Sequence, residues 1–295
     1  MKITCSQTEL VKGVNIVTKA VPTRTTMPIL QCILIDASAN QIKLMANDME
    51  IGIETIIEGR IEERGIIALD ASIFSNIVKK LPDSQVVITT GESFQANISC
   101  EKANFNINGM DGENFAYLPV IPRNEPVVIS EFTLKEVIRQ TIFSIADNEN
   151  NKLMTGELFE IHGSRMRVVS LDGHRISIRN IELKSECPDY KVVVPGKTLN
   201  EISKIIPGSY EENVMIYITE NHIIFEFGQT TVVSRLIDGE YFKIEQMLSS
   251  DYETKIRISK RELLECIDRA TLLVNPGDKK PIIMNVTDGN MELNI

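Results

Sequence analysis

Residues 2–21, KITCSQTELVKGVNIVTKAV, begin with a strand-like segment and then place Leu10, Val11, Val14 and Val17 at helical spacing. The plan returns as VISEFTLKEVIRQTIFSIAD (128–147), with Val137 standing at Leu10 plus 127. It returns again as KIRISKRELLECIDRATLLV (255–274), with Leu263 at Leu10 plus 253. A recurring strand–helix unit decides the fold class, because each copy must bury its apolar helix face in the same way.

The flanking segments recur too. MPILQCILIDA (27–37) and NQIKLMANDME (40–50) read as two strands after the first helix. LMTGELFEIHG (153–163) and SRMRVVSLDGH (164–174) follow the second, and PIIMNVTDG (281–289) and NMELNI (290–295) the third. A second half of similar design, strand, helix, proline stop and strand, lies at GIIALDASIFSNIVKKLPDSQVVITT (65–90) and at YKVVVPGKTLNEISKIIPGS (190–209). The reading is α+β with antiparallel sheet, in units 1–122, 126–246 and 254–295, separated at LPVIPRNEP (118–126) and EQMLSSDYET (245–254). The third unit holds only an opening strand, one helix and two strands. Half a unit leaves sheet edges and a helix face uncovered, which favours a longer chain over a poorly ordered tail.

Composition narrows the function. Of 295 residues 43% are hydrophobic and 24% charged, which excludes collagen-like, low-complexity and largely disordered classes. The net charge of -10 argues against indiscriminate coating of nucleic acid or anionic membrane, so a polyanion must meet a segregated basic face. No secretory signal and no membrane-spanning window stands out, so the expected location is cytoplasmic. Cys5, Cys32, Cys100, Cys187 and Cys266 are scattered and read as reduced thiols. His162, His174 and His222 lie too far apart for a zinc site, so no metal and no cofactor is expected.

Such a basic face is legible on the helices. Those at about 8–20, 72–81, 133–146 and 196–206 carry Lys12, Lys19, Lys79, Lys80, Lys135, Arg139, Lys197 and Lys204 against Glu9, Glu136 and Glu201. Eight bases against three acids leave +5 there and -15 elsewhere. Spacings of seven (Lys12 and Lys19; Lys197 and Lys204) and four (Lys135 and Arg139) put each pair on one helix face. Lysines on one helix are ordinarily a solvated face. A bias shared by four helices in repeated units fits a common surface toward a phosphate backbone, and the lack of interleaved aromatics favours duplex over single strand.

Enzymatic motifs are weak. GKT at 196–198 matches the end of a phosphate-binding loop, but Lys191 stands where its first glycine belongs. LDGHRI (171–176) gathers Asp172, His174 and Arg175 without a nucleophile, so a hydrolase using Asp172 and His174 is the competing class. Loss of a measured turnover in His174→Ala would favour it.

With TMPIL (26–30), NDMEIGIE (47–54), the S-x-F-x-x-I-V-x-x-L-P run (72–82) and RLIDGEY (235–241), LDGHRI gives the chain a close resemblance to the bacterial sliding-clamp family, the beta subunits of DNA polymerase III. The resemblance runs from Met1 to Ile295. It implies repeated clamp domains, helices lining a channel around duplex DNA, sheets outside, and a head-to-tail homodimer. A clamp is a processivity factor, not an enzyme, and its partners are the polymerase III catalytic subunit, the clamp loader, and other polymerases and repair proteins carrying clamp-binding peptides. The matching DNA positions are Arg24, Lys79, Lys197 and Asn148, while Lys152 and Leu153 replace aromatics of some members. The peptide pocket implied comprises Met154, Leu171, Gly173, His174, Arg175, Ile176, Phe242 and Met247, with Phe242 replacing the usual proline. An apolar cleft with few polar groups suits Leu and Phe anchors of an extended peptide. Phe105 and Ile107 from one chain would meet Leu272 and Leu273 from the other.

Overall fold

The computed structural model describes residues 1–147, 151–248, 251–275, 277–278 and 280–295. They form two compact units, Met1–Tyr241 and Phe242–Ile295. The first begins with β1 (Lys2–Ser6), α1 (Gln7–Val17), β2 (Cys32–Asp36), β3 (Ile42–Asn47), β4 (Ile51–Ile57), β5 (Arg60–Glu63), β6 (Ile66–Asp70), α2 (Ala71–Lys80), β7 (Gln85–Thr90), β8 (Gln95–Cys100) and β9 (Ala103–Asp111). It continues with β10 (Val127–Ser130), α3 (Glu131–Thr141), β11 (Gly156–Leu171), β12 (Ile176–Pro195), α4 (Gly196–Ile205), β13 (Asn213–Ile218), β14 (His222–Phe227) and β15 (Thr230–Arg235).

Side chains cap the starts of α1, α3 and α2, whereas α4 begins after Pro195 with no side-chain cap. Ser6 Oγ accepts from Glu9 N at 3.2 Å, Ser130 Oγ from Thr133 N at 3.2 Å, and Asp70 Oδ1 from Ile73 N at 2.8 Å. Leu10, Val14 and Val17 of α1 are buried as the spacing predicts, while Val11 is only half-buried at the edge of the core; in α3 the buried residues include Leu134, Val137 and Ile138. Each fully buried aliphatic side chain of this kind stabilises the fold by roughly 1.5–3 kcal/mol.

The caps correct the alignment of the repeats. Ser6 and Ser130 differ by 124, and α1 and α3 are both 11 residues long, so Leu10 corresponds to Leu134 and not to Val137. The 3-10 turns Pro28–Gln31 and Lys152–Thr155 keep the same interval. Apolar spacing alone misses this, because Leu134 and Val137 lie one turn apart on one face.

Thirteen strands form one antiparallel sheet in the order β10-β13-β14-β15-β4-β3-β2-β6-β9-β8-β7-β1-β5. It crosses from one repeat to the other where β15 pairs with β4, Val232 opposite Ile53. β11 and β12 make a separate two-stranded sheet. The two strands expected at 153–163 and 164–174 are one continuous β11, with register shifts on both sides of Gly163 at φ +57°. Against these sheets α1 packs on α2 and α3 on α4.

The second unit contains α5 (Ile244–Met247), α6 (Lys260–Ala270), β16 (Ile283–Thr287) and β17 (Asn290–Asn294). Ser259 caps α6, 253 residues after Ser6, and β16 pairs with β17. The opening strand expected at 255–258 is not formed. β1 is held by β5 and β7, and β10 by β13; among the described residues no strand pairs with 255–258, and an unpaired strand leaves its backbone groups without partners. All five cysteines are free. Burial pushes the Cys5 thiol up to about 12 and the Cys32 thiol to about 11.

Candidate functional site

The helix cations fall into two groups. Lys79 and Lys80, in the last turn of α2, are exposed and have no carboxylate partner among the described residues; they also suit the negative end of that helix. Arg24 and Lys152 are likewise exposed and unpaired among the described residues. The Lys12 ammonium is 4.0 Å from Glu9, with 69% of its side chain exposed. α1 ends at Val17, so Lys19 falls in a 3-10 turn and the face shared with Lys12 does not continue as helix.

On α3 and α4 every candidate cation is engaged. Half-buried Lys135 donates to the Ile206 carbonyl at 3.0 Å, capping the chain just past α4. Arg139 donates twice to Glu136, at 2.8 and 2.6 Å, and that hydrogen bonding holds the Glu136 carboxyl below its usual range. Lys204 donates to Glu201 at 2.7 Å, and Lys197 is paired with Asp48 from the first repeat. α3 also takes in Glu131, a fourth helix acid, whose buried carboxylate accepts from Gly208 N and Ser209 N at 3.1 and 3.0 Å. Asn148 lies outside the described residues.

Gly196, the glycine of GKT, binds no phosphate loop: a Cβ there would come within 2.3 Å of Ile145 Cδ1 and 2.8 Å of the Thr155 carbonyl. Its absence of side chain lets α4 start in close contact with the turn after α3.

Leu171, Gly173, His174, Arg175 and Ile176 sit together on the turn joining β11 to β12, with Leu171 paired to Ile176. Gly173 takes φ +89°, a conformation that favours glycine. Asp172 builds the turn. Its Oδ1 accepts from His174 N (3.0 Å) and Arg175 N (3.1 Å), and its Oδ2 accepts from Arg175 Nε at 2.9 Å. These bonds, the His174 amide first, hold its carboxyl below the usual range. Asp172 thus orients backbone and Arg175, not the imidazole of His174, and the hydrolase pairing is not assembled.

Leu171 is buried, while Gly173, His174 and Arg175 are exposed. Met154, half-buried, lies in the 3-10 turn before β11, and its carbonyl accepts from Ala146 N at 2.8 Å. Phe242 and Met247 belong to the second unit, where Met247 closes α5 and is 49% exposed. Phe143 also stands beside this turn: it is 57% exposed, with the Arg175 guanidinium 5.8 Å over its ring. Its position after α3, in the step where chain direction changes, carried no motif.

β9 pairs with β8 along Ala103–Asn108 and with β6 only at Gly109–Asp111, so Ala103–Asn108 has one side without a strand among the described residues. Phe105 on it is 38% exposed, whereas Ile107 packs on the core edge. Leu272 and Leu273, in the 3-10 turn after α6, are 77% and 92% exposed. Within the second repeat, on β11, lies Glu157, fully buried, accepting from Thr141 Oγ1 at 3.0 Å, with its Oε1 unpartnered among the described residues. Burial pushes its carboxyl up to about 8. Among the described residues no group of three His, Cys, Asp or Glu is placed to hold a metal, and no helix is long and apolar enough to cross a membrane.

Family models match most of the chain. Residues 1–119 match the DNA polymerase III beta subunit N-terminal domain and residues 128–243 its central domain. The beta sliding clamp of Bacillus subtilis is 38% identical over 286 residues, covering 94% of this chain and 75% of the relative. That of Staphylococcus epidermidis is 32% identical over 301 residues, covering 99% and 80%. Among solved structures, a chain described as a DNA polymerase III beta subunit from Eubacterium rectale is 75% identical, with TM-score 0.97 over 99% of this chain and 80% of its own. The Bacillus subtilis sliding clamp is 34% identical, with TM-score 0.92 over 100% and 83%.

Proposed function

The chain belongs to the DNA polymerase III beta-subunit family, the sliding clamps, and from that membership we propose that it encircles duplex DNA and tethers a polymerase to it. A sliding clamp is a processivity factor with no catalysis of its own. It raises the effective concentration of the bound polymerase at the primer end, and it slides because its phosphate contacts are many, weak and sequence-independent. The observation that carries this reading is the repeat itself: two strand–helix units at an interval of 124 residues, fused through β15 and β4 into one sheet. We assign the clamp domains to 1–122, 126–246 and 254–295.

Arg24, Lys12, Lys79 and Lys80 are the phosphate contacts the geometry favours most, with Lys135, Arg139, Asn148, Lys152, Lys197 and Lys204 as the remaining candidates. The turn at 171–176, with Met154 in the 3-10 turn before β11 and Phe143 beside Arg175, would form a peptide-binding wall; Phe242 and Met247 are candidates from the family resemblance alone. That wall would receive short peptides of the polymerase III catalytic subunit, the clamp loader and repair proteins, in the cytoplasm. The open side of Ala103–Asn108 and the exposed Leu272 and Leu273 suit a head-to-tail homodimer. Retention on circular but not linearised duplex, after loading, is the expected result. Equal loss from both would remove the encirclement, and unchanged peptide binding by His174→Ala and Arg175→Ala would remove the pocket.

A further inference from the structure

One carboxylate spans the two repeats at the point where their sheets join. Asp48 follows β3 in a turn whose next residue, Met49, takes φ +75°. Its Oδ1 accepts from Glu50 N at 2.9 Å and Ile51 N at 2.7 Å, and its Oδ2 receives the ammonium of Lys197 at the start of α4. The turn is fixed from other directions as well. Asn47 Nδ2 donates to the Ala116 carbonyl (2.9 Å), Arg235 N donates to the Glu50 carbonyl (2.9 Å), and β4 pairs with β15. The Asp48 side chain is 5% exposed against 55% for Lys197, so the acid is the rigid partner and the lysine the one that is placed.

The internal repeat makes the arrangement specific. Asp48 is the counterpart of Asp172 at the 124-residue interval, with the same two backbone acceptances. Asp172 spends its other oxygen on Arg175, three residues away, whereas Asp48 spends it on a lysine 149 residues away.

We propose that Asp48 attenuates one contact to duplex DNA: it pins Lys197 across the repeat junction and takes up most of that charge, so Lys197 supplies only a fraction of a phosphate contact. The inference rests on the DNA-encircling reading above. A lysine already neutralised by a fixed carboxylate has few condensed ions to displace from DNA, and a phosphate reaching it must compete with a partner that cannot move away. Lys79 and Lys80 have no such competitor among the described residues.

The test is the salt dependence of binding a short linear duplex to the full chain, read as the slope of log affinity against log salt. Lys79→Ala should lower the slope magnitude by about 0.9, and Lys197→Ala by a small part of that. Asp48→Asn, which keeps the Oδ1 acceptor, should steepen the slope and tighten low-salt binding severalfold, and adding Lys197→Ala should remove the gain. Thermal unfolding gives an independent reading: Lys197→Ala strands a nearly buried carboxylate and should lower the midpoint, and Asp48→Asn in the same chain should restore it. A loss of slope in Lys197→Ala equal to that in Lys79→Ala, with Asp48→Asn silent, would overturn the inference. If Lys79→Ala also left the slope untouched, the DNA reading would fall first and the inference with it.

Discussion

Laid on one another at an interval of 124 residues, the two repeats share a backbone plan and differ in where they keep polar groups. Val17, Ile33 and Ala46 of the first are all buried; their counterparts in the second are Thr141, Glu157 and Ser170, also buried. Thr141 Oγ1 donates to Glu157, and Ser170 Oγ donates to the Thr141 carbonyl at 2.6 Å, so a polar cluster replaces an apolar one. The helix surfaces differ in the opposite sense. The α2 cations of the first repeat stand free among the described residues, whereas those of the second are bound to carboxylates or a helix-end carbonyl. Repetition thus keeps the serine cap of the first helix and the turn after it, whereas the second helix is capped by Asp70 in one repeat and begins after Pro195 without a side-chain cap in the other, and the polar and ionisable positions diverge.

The largest effects test the shared plan. Leu10→Ala and Leu134→Ala remove fully buried leucines at corresponding positions, and each should cost about 3 kcal/mol in chemical denaturation. Val137→Ala, at the position that apolar spacing alone pairs with Leu10, deletes less volume and should cost less than Leu134→Ala. Costs for Leu10 and Leu134 differing severalfold would break the equivalence. The next effect tests the divergence. With Glu157 raised to about 8 against an ordinary value of 4.5, the unfolded chain releases its proton first as pH rises. Stability from this group is therefore greatest below about pH 4.5 and falls between there and pH 8. Glu157→Leu should remove that slope and stabilise the protein by ~3 kcal/mol at pH 7, with the gain vanishing near pH 4. An unchanged pH profile would mean that Glu157 is solvated in solution.

How much of this was legible beforehand follows from which interactions are local. Ser6, Ser130 and Ser259 each sit three residues before the amide they cap, so helix starts can be read from the chain. The strand at 255–258 could not be judged so, because a strand depends on partners that local residues do not provide. The turn residues at 171–176 were legible as a cluster because they are consecutive. Phe143 reaches Arg175, and Lys197 reaches Asp48, only through the fold. The expected +5 becomes +3 on the helices as formed, seven bases against four acids, because Lys19 lies past α1 and Glu131 inside α3, and the count could not say which charges were already paired. The NDME and LDGH stretches offered one unused signal, since aligning them at the 124-residue interval puts Asp48 on Asp172.

The smaller effects concern that pairing. Lys79→Ala and Lys80→Ala should each reduce affinity for duplex DNA severalfold at low salt, and Arg139→Ala by less, because Glu136 already engages the guanidinium with two bonds. The Arg139–Glu136 pair is exposed, however, unlike the pair at Asp48: the Arg139 side chain is 66% exposed and Glu136 30%. An exposed pair between neighbouring turns of one helix is weak and screened by salt, so a phosphate can draw Arg139 away at little cost. Glu136→Gln should therefore steepen the salt dependence of DNA binding only slightly, clearly less than Asp48→Asn does. Titrating both variants under identical salt series separates the cases. Equal responses would show that burial of the acid partner is irrelevant, and the contrast between held and free cations would reduce to a count of nearby carboxylates.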